Sequence, residues 1–523
     1  MTSLWMVAAM LLLVVALLLL HKAFSVYVWR PLRLQKFFKA QGIRGPPYHI
    51  PFGNYEEFSA LNKAARASPM PHITHDIAPR LFPYHSHCTT QYDIPYVYWL
   101  GPKPRLMLVD PELCKEMLSN KFGHYPKPSP VLQLQDLFAK GLVTLEGEKW
   151  AQHRRIVSPA FFSEKLKRMV PTIASLTSTM LEKWREMSES SSLCKEINAC
   201  KEFRALTADI IAHTAFGSSY VEGKQVFLLQ YEQQALFLKF GSLPYIPGYR
   251  FLPTATNRSR WRLRKQISSI LEQIIKRRLS LANESESDAF GSDLLGLMLS
   301  ALKEESQGNQ KNLITMSLQE IIDECKTFFF AGHETTSSLL TWAVMLLAIH
   351  PEWQERAREE ALSQFGSGDP DADSLNQLKL IGMILHEVLR LYPPAIGLLR
   401  ETNKDVKLGG ISIPGGTSIF APILVLHVDP KLWGEDALEF NPLRFEGGVS
   451  KACKHPSAFL PFGVGPRICV GQNFALMEAK IALCMILQKF QFQISTAYRH
   501  APRVVLTLQP EHGMQILLDP LVA

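Results

Sequence analysis

The chain has 523 residues, of which 47% are hydrophobic and 20% charged, values that are typical of a large, well-packed globular body. Its 8 cysteines are too few for a disulfide scaffold of this length, so we expect reduced and mostly buried thiols. The net charge of +8 raises the question of nucleic-acid binding, but lysines and arginines are mixed with acids and no nucleic-acid recognition pattern occurs, so we expect no nucleic-acid partner.

The chain begins with an apolar segment over residues 4–20. A helix of this length spans about 26 Å, which just crosses a thin bilayer such as that of the endoplasmic reticulum. Tyr27 and Trp29 follow and are typical of a membrane interface. We predict a membrane anchor over residues 1–29 and not a cleaved signal peptide, because no basic residue precedes the apolar run and a good cleavage site is lacking.

Basic residues follow the apolar segment, and they are Lys22, Arg30, Arg33, Lys36, Lys39 and Arg44. By the positive-inside rule they predict a single-pass protein of the endoplasmic reticulum membrane whose body is cytosolic. We interpret residues 30–50 as a basic, proline-rich linker with a stiff elbow at Gly45-Pro46-Pro47. Residues 51–523 contain no internal linker or repeat and are predicted to form one large domain.

This body is predicted to be mainly α-helical with small peripheral β-sheets, and neither a doubly wound sheet nor a barrel. Helical periodicity occurs over residues 111–119, 149–189, 201–216, 225–240, 258–282, 317–349, 351–365, 376–392 and 472–490. Strand-like segments occur near 96–109, 405–413 and 504–518, and polar loops are expected near 283–293 and 304–313.

The longest hydrophobic helix contains the run Ala331-Gly332-His333-Glu334-Thr335-Thr336. Glycine within a helix costs about 1 kcal/mol relative to alanine, so we expect space to be needed beside this helix. The Thr335 hydroxyl is expected to donate to the carbonyl of Ala331 and to bend the helix. A carboxylic acid and a hydroxyl beside an open groove are suited to proton delivery. The alternative is a helix kink that carries surface polar residues.

A later helix carries Glu387 and Arg390 on one face, followed by Tyr392-Pro393-Pro394. Such a pair is weak evidence by itself, because surface ion pairs at this spacing are common and contribute only about 0.2–0.5 kcal/mol.

The most informative segment is the glycine-rich stretch from Phe462 to Gly471, which precedes a helix predicted from Gln472. It places the Cys469 thiol at a helix N-terminus, where backbone N–H groups stabilise a thiolate. Its glycines allow the backbone to lie against a large planar cofactor, and Arg467 is suited to bind a carboxylate. The alternatives are a buried structural thiol, or a dinucleotide-binding glycine motif, which fails because Ile468 replaces its third glycine.

Phe462, Gly465, Arg467, Cys469 and Gly471 match the signature FxxGxRxCxG of the cytochrome P-450 superfamily, and residues 331–336 resemble its (A/G)Gx(D/E)T(T/S) pattern. The resemblance covers the chain from Leu4 onward. It is closest to the plant clan that includes secologanin synthase, brassinosteroid-inactivating hydroxylases and cytokinin hydroxylases. The finer match is carried by residues 247–254, 500–502 and 506–510.

This resemblance implies a cofactor, haem b (iron protoporphyrin IX), with Cys469 as the axial ligand of the iron. It implies haem contacts from Trp150, Arg154, Arg400, Phe462 and Arg467, and catalytic roles for Glu334 and Thr335. It further implies a structural network of Glu387, Arg390 and Arg444, with Leu443 at a position where the family often has glutamate. His153 and Arg155 are candidates for facing an acidic redox partner.

The resemblance implies a haem-thiolate monooxygenase that inserts one oxygen atom from O2 into a lipophilic small molecule, of terpenoid, steroid, fatty-acid or hormone-like type. No flavin or nicotinamide motif occurs, so electrons are expected from NADPH through a separate reductase. The alternatives are oxygen-independent rearrangement or dehydration on the same fold, against which Glu334 and Thr335 argue, and a non-enzymatic haem carrier or sensor.

Two further features complete the sequence-based expectations. Residues 126–143, 240–256, 395–399 and 506–509 are expected to line the substrate site and are mostly apolar, which leaves the substrate open. The sequons at Asn257 and Asn283 are expected to be accessible but unused, because a cytosolic body does not meet the glycosylation machinery.

Overall fold

A computed structural model describes residues 2–128, 132–189, 195–217, 220–240, 251–284, 290–306 and 315–521. Within them the chain is mainly helical with small sheets, so the predicted fold class is confirmed. The helices are α1 (Thr2–Phe24), α2 (Arg30–Ala40), α3 (Tyr55–Ala65), α4 (Ala78–Leu81), α5 (Pro83–Thr89), α6 (Pro111–Leu118), α7 (Leu132–Phe138), α8 (Gly147–Val157), α9 (Ser163–Glu189), α10 (Ala199–Phe216), α11 (Tyr220–Phe240), α12 (Ala255–Glu284), α13 (Leu294–Ser306), α14 (Leu318–Ile349), α15 (Pro351–Phe365), α16 (Lys379–Leu391), α17 (Ile423–His427), α18 (Pro430–Trp433) and α19 (Gln472–Lys489).

The strands form small sheets around the helices. They are β1 (Tyr96–Leu100), β2 (Lys103–Met107), β3 (Lys195–Asn198), β4 (Leu398–Glu401), β5 (Val406–Leu408), β6 (Ile411–Ile413), β7 (Ser418–Ala421), β8 (Phe490–Ile494), β9 (Pro502–Val505), β10 (Thr507–Pro510) and β11 (Gln515–Pro520). One sheet has the order β1-β2-β7-β4, in which only β2 and β7 are parallel, and another has the antiparallel order β3-β11-β8. The pairs β5-β6 and β9-β10 are separate hairpins.

The anchor helix continues into the body without a break in helical structure. A π-helical segment, Ser25–Trp29, joins α1 to α2, and the side chains of residues 4–20 are exposed. Over the described chain, one helical stretch, Leu4–Ala40, is long and apolar enough to cross a membrane. Leu34 and Phe38 of α2 are buried against the body, so part of the predicted linker is a packed helix.

The core is organised around α14, whose side chains are buried along most of its length. A capping box starts the helix, because the Ser317 hydroxyl accepts the backbone N–H of Glu320 and the Glu320 carboxylate accepts the backbone N–H of Ser317. Helices α10, α16 and α19 pack against it. This arrangement places the middle of α14 next to the segment that precedes α19.

Most helix predictions agree with the structure, and the differences have local causes. The predicted helix over 149–189 is two helices, because the 3₁₀ turn Ser158–Phe161, with Pro159 inside it, interrupts the run. Parts of the predicted polar loops at 283–293 and 304–313 are helical at their edges, and residues 285–289 and 307–314 lie outside the described residues.

The sequon at Asn257 is not accessible, so the expectation for this site is wrong. Asn257 is 0% exposed, and its side-chain N–H donates to the carbonyl of Leu252 at 2.8 Å. Its side-chain oxygen accepts from Arg260 at 3.1 Å. The side chain of Asn283 lies outside the described residues.

Candidate active site

A cavity of about 370 Å³ lies between the middle of α14, the segment after α16 and the loop before α19. Most of its wall is hydrophobic, with Phe161, Phe328, Leu339 and Phe474 among the lining side chains. Thr335, Arg400, Phe462, Arg467 and Cys469 also line it. The fold therefore brings five of the sequence-predicted site residues to one cavity.

Cys469 lies in the loop that leads into α19, and its side chain faces the cavity. The backbone N–H of Cys469 donates to the carbonyl of Phe462 at 3.0 Å, which closes the loop. The residue is open toward the cavity and enclosed by protein elsewhere. Burial raises the pKa of the Cys469 thiol, and the Gly471 backbone and Arg154 offset part of this rise. The loop by itself therefore disfavours the thiolate, and a metal ion bound to the sulfur would stabilise it.

The glycines of this loop serve two different contacts. Gly463 has φ +71°, and a Cβ there would find its nearest neighbour, Leu398, 3.9 Å away across the cavity. Gly465 has φ +79°, and a Cβ there would lie 2.6 Å from the carbonyl oxygen of Leu118 at the end of α6. The expectation that glycine allows the backbone to lie against a cofactor fits Gly463. It is wrong for Gly465, which allows the loop to approach α6.

Cations gather at one side of the cavity around the carboxylate of Glu146. Arg467 donates to Glu146 and to the carbonyl of Leu145, and its guanidinium carbon lies 4.4 Å from the centre of the Trp150 ring. The backbone N–H of Lys127 donates to Glu146 at 3.1 Å.

Lys127 and a third cation of this group, Arg400, are poorly solvated. The Lys127 ammonium donates to the carbonyl of Val143 at 2.7 Å, and Arg400 is 6% exposed. Desolvation, together with the neighbouring cations, lowers the pKa of Lys127 to about 7 and that of Arg400 to about 10. A group of buried like charges is costly unless an anion joins it.

The cluster fits a cofactor with two carboxylates, such as haem. Nη1 of Arg467 is buried and, in the described structure, has no hydrogen-bond partner. Among the described residues, the three cations Lys127, Arg400 and Arg467 face one protein carboxylate, that of Glu146. When Lys127 is protonated, two positive charges therefore remain for two propionates. With a thiol on the same cavity, these residues would hold haem by its edge and by its iron.

Two other residues predicted to contact haem lie beside the cavity and not in its wall. Nη1 of Arg154 donates to the carbonyl of Ile468 at 2.9 Å, next to Cys469. Trp150 packs against the guanidinium of Arg467. In this geometry both residues support the groups that face the cavity.

The middle of α14 presents Thr335 to the cavity. Its hydroxyl donates to the carbonyl of Ala331 at 2.8 Å, so the predicted hydrogen bond is confirmed. A Cβ on Gly332 would lie 2.8 Å from Cγ1 of Ile211. The glycine therefore makes room for Ile211 of α10, which itself lines the cavity, as well as opening the face of α14.

Glu334 points away from Thr335 and is held by other elements. Its carboxylate accepts from Gln234 at 3.1 Å, from Gln509 at 2.9 Å and from Thr507 at 3.3 Å, and Arg204 lies 3.6 Å away. It is 1% exposed and does not belong to the cavity wall. Proton delivery from Glu334 would therefore need a change of partners.

Glu387, Arg390 and Arg444 form a buried ion-pair network. The Arg390 side chain is bound to the Glu387 carboxylate through two hydrogen bonds of 2.7 Å, and both residues are 0% exposed. Nε of Arg444 lies 3.4 Å from the same carboxylate. The spacing alone suggested a weak surface pair, whereas burial makes the loss of either partner costly, because it would leave the other charge buried without a counterion.

His153 cannot face a redox partner, so that expectation is wrong. It is 1% exposed, and its Nδ1 lies 2.6 Å from the buried carboxylate of Glu324 on α14. Arg155 is exposed and remains a candidate.

Lys127 and Glu146 were missed by the sequence interpretation. Lys127 belongs to the predicted lining segment 126–143, but no spacing distinguishes a lysine that faces a cavity from one that faces solvent. The other predicted lining segments differ in outcome. Ala395 and Leu398 line the cavity, residues 506–509 do not, and residues 241–250 lie outside the described residues.

Comparisons with known proteins agree with the geometry of the site. The sequence model of the family described as Cytochrome P450 matches residues 71–516. Cytochrome P450 CYP72A616 of Paris polyphylla is 47% identical over 496 residues, which cover 94% of each chain. Cytochrome P450 734A6 of Oryza sativa subsp. japonica is 44% identical, over 95% of this chain and 93% of its own. Cytochrome P450 72A397 of Kalopanax septemlobus is 45% identical, over 95% and 94%.

Proposed function

Because the chain belongs to the cytochrome P450 family and is thus a haem monooxygenase acting on small molecules, we propose that its substrate is lipophilic, of terpenoid, steroid, fatty-acid or hormone-like type. One oxygen atom of O2 enters the substrate, and the electrons come from NADPH through a separate reductase. The observation that carries this proposal is a mostly hydrophobic cavity whose wall contains both the Cys469 thiol and the Thr335 hydroxyl.

The cofactor in this proposal is haem b, bound without covalent attachment. Haem, when bound, supplies the redox-active iron at which O2 is activated. Cys469 provides the sulfur ligand, and Arg154 keeps the loop in place through the carbonyl of Ile468. Lys127, Arg400 and Arg467 hold the carboxylates, with Arg467 fixed by its contact with Trp150.

The chain's part in oxygen activation is to supply protons and to exclude water. Thr335 holds a proton on a hydroxyl that lines the cavity. Glu334 is the nearest acid along the helix, and it can act after it exchanges its hydrogen bonds with Gln234 and Gln509. Hydrophobic side chains around Thr335 limit the access of bulk water to the cavity. Bulk water would otherwise deliver protons there without control by the protein.

We place the protein in the endoplasmic reticulum membrane with residues 1–29 as anchor, residues 30–50 as connecting segment and residues 51–523 as the cytosolic haem domain. The basic residues after the apolar run support this orientation. Because Asn257 is buried, only the sequon at Asn283 can report on it. Expression in plant or yeast cells followed by endoglycosidase digestion should give no mobility shift, with Asn283→Gln as the control. A shift that Asn283→Gln abolishes would place the body in the lumen.

The reaction class is tested with full-length protein, a plant NADPH-dependent reductase and a plant metabolite extract. Products formed under isotopically heavy dioxygen should contain one heavy oxygen atom, and products formed in heavy-oxygen water should not. Unlabelled products in the first arm would indicate an oxygen-independent rearrangement.

The haem ligand is tested by spectroscopy of Cys469→Ser. The reduced, carbon monoxide-bound wild type should show the red-shifted Soret band of a thiolate-ligated haem, and the variant should lose it. An unchanged band would mean that another residue binds the iron.

A further inference from the structure

A second groove lies where the anchor helix meets the body, and it shares no lining residue with the active-site cavity. It has a volume of about 810 Å³. One wall is formed by residues 25–37, which comprise the π-helical segment and the start of α2. The other wall is formed by the hairpin β5-β6 with its flanking residues Asp405, Pro414 and Gly415.

The charge of this groove is strongly positive. Arg30, Arg33 and Lys407 line it, and the one acid among its lining residues is Asp405. The Asp405 carboxylate already accepts the backbone N–H of Gly415 at 2.8 Å, and Arg30 donates to the carbonyl of Gly415 at 2.8 Å. Within the part of the chain that is described, none of the three cations forms an ion pair. Arg30 is held by the carbonyl of Gly415, so Arg33 and Lys407 are the two that can bind an external anion.

If α1 crosses the bilayer, the groove lies just beyond the headgroup layer, within reach of the lipid phosphates through long side chains. Arg30 and Arg33 follow Phe24 by six and nine residues, or about 9 and 14 Å along a helix. The headgroup layer extends roughly 5–7 Å beyond the hydrocarbon on each side, and arginine side chains reach back toward it. Trp29, which is 62% exposed at the groove, is a residue type that prefers this interface.

We propose that this groove is a binding site for the headgroup of an anionic phospholipid, with the phosphate between Arg33 and Lys407 and the lipid's glycerol region against Trp29 and Phe37. The proposal rests on the membrane anchoring inferred above and goes beyond the monooxygenase function. Two hydrogen bonds between the Gln41 side chain and the Ser412 backbone hold the end of α2 on the hairpin, so the two walls of the site are fixed to each other. A bound lipid would therefore fix the body's orientation on the membrane.

The chain offers a matched control for diffuse electrostatic attraction. Lys36 and Lys39 lie on the same helix as Arg33 and are exposed, but neither lines this groove. The double variant Arg33→Gln/Lys407→Gln and the double variant Lys36→Gln/Lys39→Gln each remove two positive charges. All four side chains are exposed, so the substitutions leave the core intact.

The test uses full-length protein in phosphatidylcholine nanodiscs that contain a minor fraction of phosphatidic acid, and native mass spectrometry measures the retained phosphatidic acid. Wild type should retain it. The groove variant should lose affinity by roughly thirty-fold, because each cation near an anionic lipid contributes about fivefold, and two such factors multiply. The control variant should lose much less. Equal losses in both variants would show diffuse attraction and overturn the site.

Two further arms separate the possible failures. Inorganic phosphate at millimolar concentration should not displace the lipid, and displacement would show a free-phosphate site instead. Flotation with pure phosphatidylcholine vesicles should be the same for wild type and both variants. Wild type that floats without retaining phosphatidic acid would overturn only the lipid site, whereas wild type that does not float would overturn membrane anchoring and the lipid site together.

Discussion

Substitution of Glu387 by glutamine is expected to destabilise the haem domain strongly while preserving the shape of the side chain. The carboxylate accepts two hydrogen bonds of 2.7 Å from Arg390 and one of 3.0 Å from the backbone of Asn441. The amide cannot neutralise Arg390, which is 0% exposed and has no route to water. The variant therefore leaves a buried charge without its counterion.

The size of the effect follows from this burial. Breaking a buried ion pair by removing one partner costs about 3–5 kcal/mol. Arg390 keeps hydrogen bonds to the carbonyls of His427 and Glu439, at 2.9 and 3.0 Å, which favours the lower half of that range. The unfolding entropy is about 2.1 cal/mol/K per residue, or roughly 1.1 kcal/mol/K for this chain, so the unfolding midpoint should fall by roughly 3–4 °C.

The midpoint is measured by thermal unfolding of the haem-loaded protein, followed by circular dichroism and by the Soret band. Glu401→Gln is the matched control, because its partner Lys103 is 3.0 Å away but 60% exposed. An exposed pair contributes at most about 1 kcal/mol, so the control should shift by about 1 °C or less. Equal midpoints for Glu387→Gln and Glu401→Gln would refute the argument from burial.

Three other predictions concern protons. Thr335→Ala should bind haem and accept electrons but divert them to hydrogen peroxide, and a wild-type ratio of product to NADPH would contradict the role of its hydroxyl. The pKa of Lys127 is lowered to about 7, so carboxylate binding above that pH requires proton uptake. Haem affinity should then fall by up to about tenfold per pH unit above neutrality, and Lys127→Gln should abolish this slope when haem transfer to apomyoglobin is measured. Glu478 is 1% exposed, and burial raises its pKa well above the usual range, with the Thr336 hydroxyl offsetting only part of this rise. Because the folded pKa exceeds the unfolded one, stability should fall by up to about 1.4 kcal/mol per pH unit as the pH rises above about 4.5, and urea unfolding of Glu478→Gln should show no such slope.

The sequence by itself determined the elements and the chemistry that depend on residues close together in the chain. Hydrophobic periodicity placed α14 and α19 within one or two residues of their observed ends, because an amphipathic pattern is a local property. The stretch from Phe462 to Gly471 indicated a thiol in a glycine-rich loop before a helix, since those residues are contiguous in the chain and lead directly into α19. The hydrogen bond from Thr335 to Ala331 was predictable for the same reason.

Other helices and strands could not be predicted from local sequence patterns. Helix α7 and strands β4 and β7 were not predicted, because short segments carry too few residues to show a period and β4 and β7 are stabilised by pairing with each other. The helical character of residues 30–40 was likewise hidden, since it depends on burial of Leu34 and Phe38 against the body.

Only the tertiary structure decided which side chains face the cavity. Glu334 and Thr335 are neighbours in sequence but differ by about 100° around a helix, and contacts with Gln234 and Gln509 fix which of them points inward. Lys127 has a lowered pKa because it is buried and because Arg467 and Arg400, which lie hundreds of positions away in the sequence, are close to it. Desolvation and charge coupling arise from packing between distant segments, and so no local spacing encodes them.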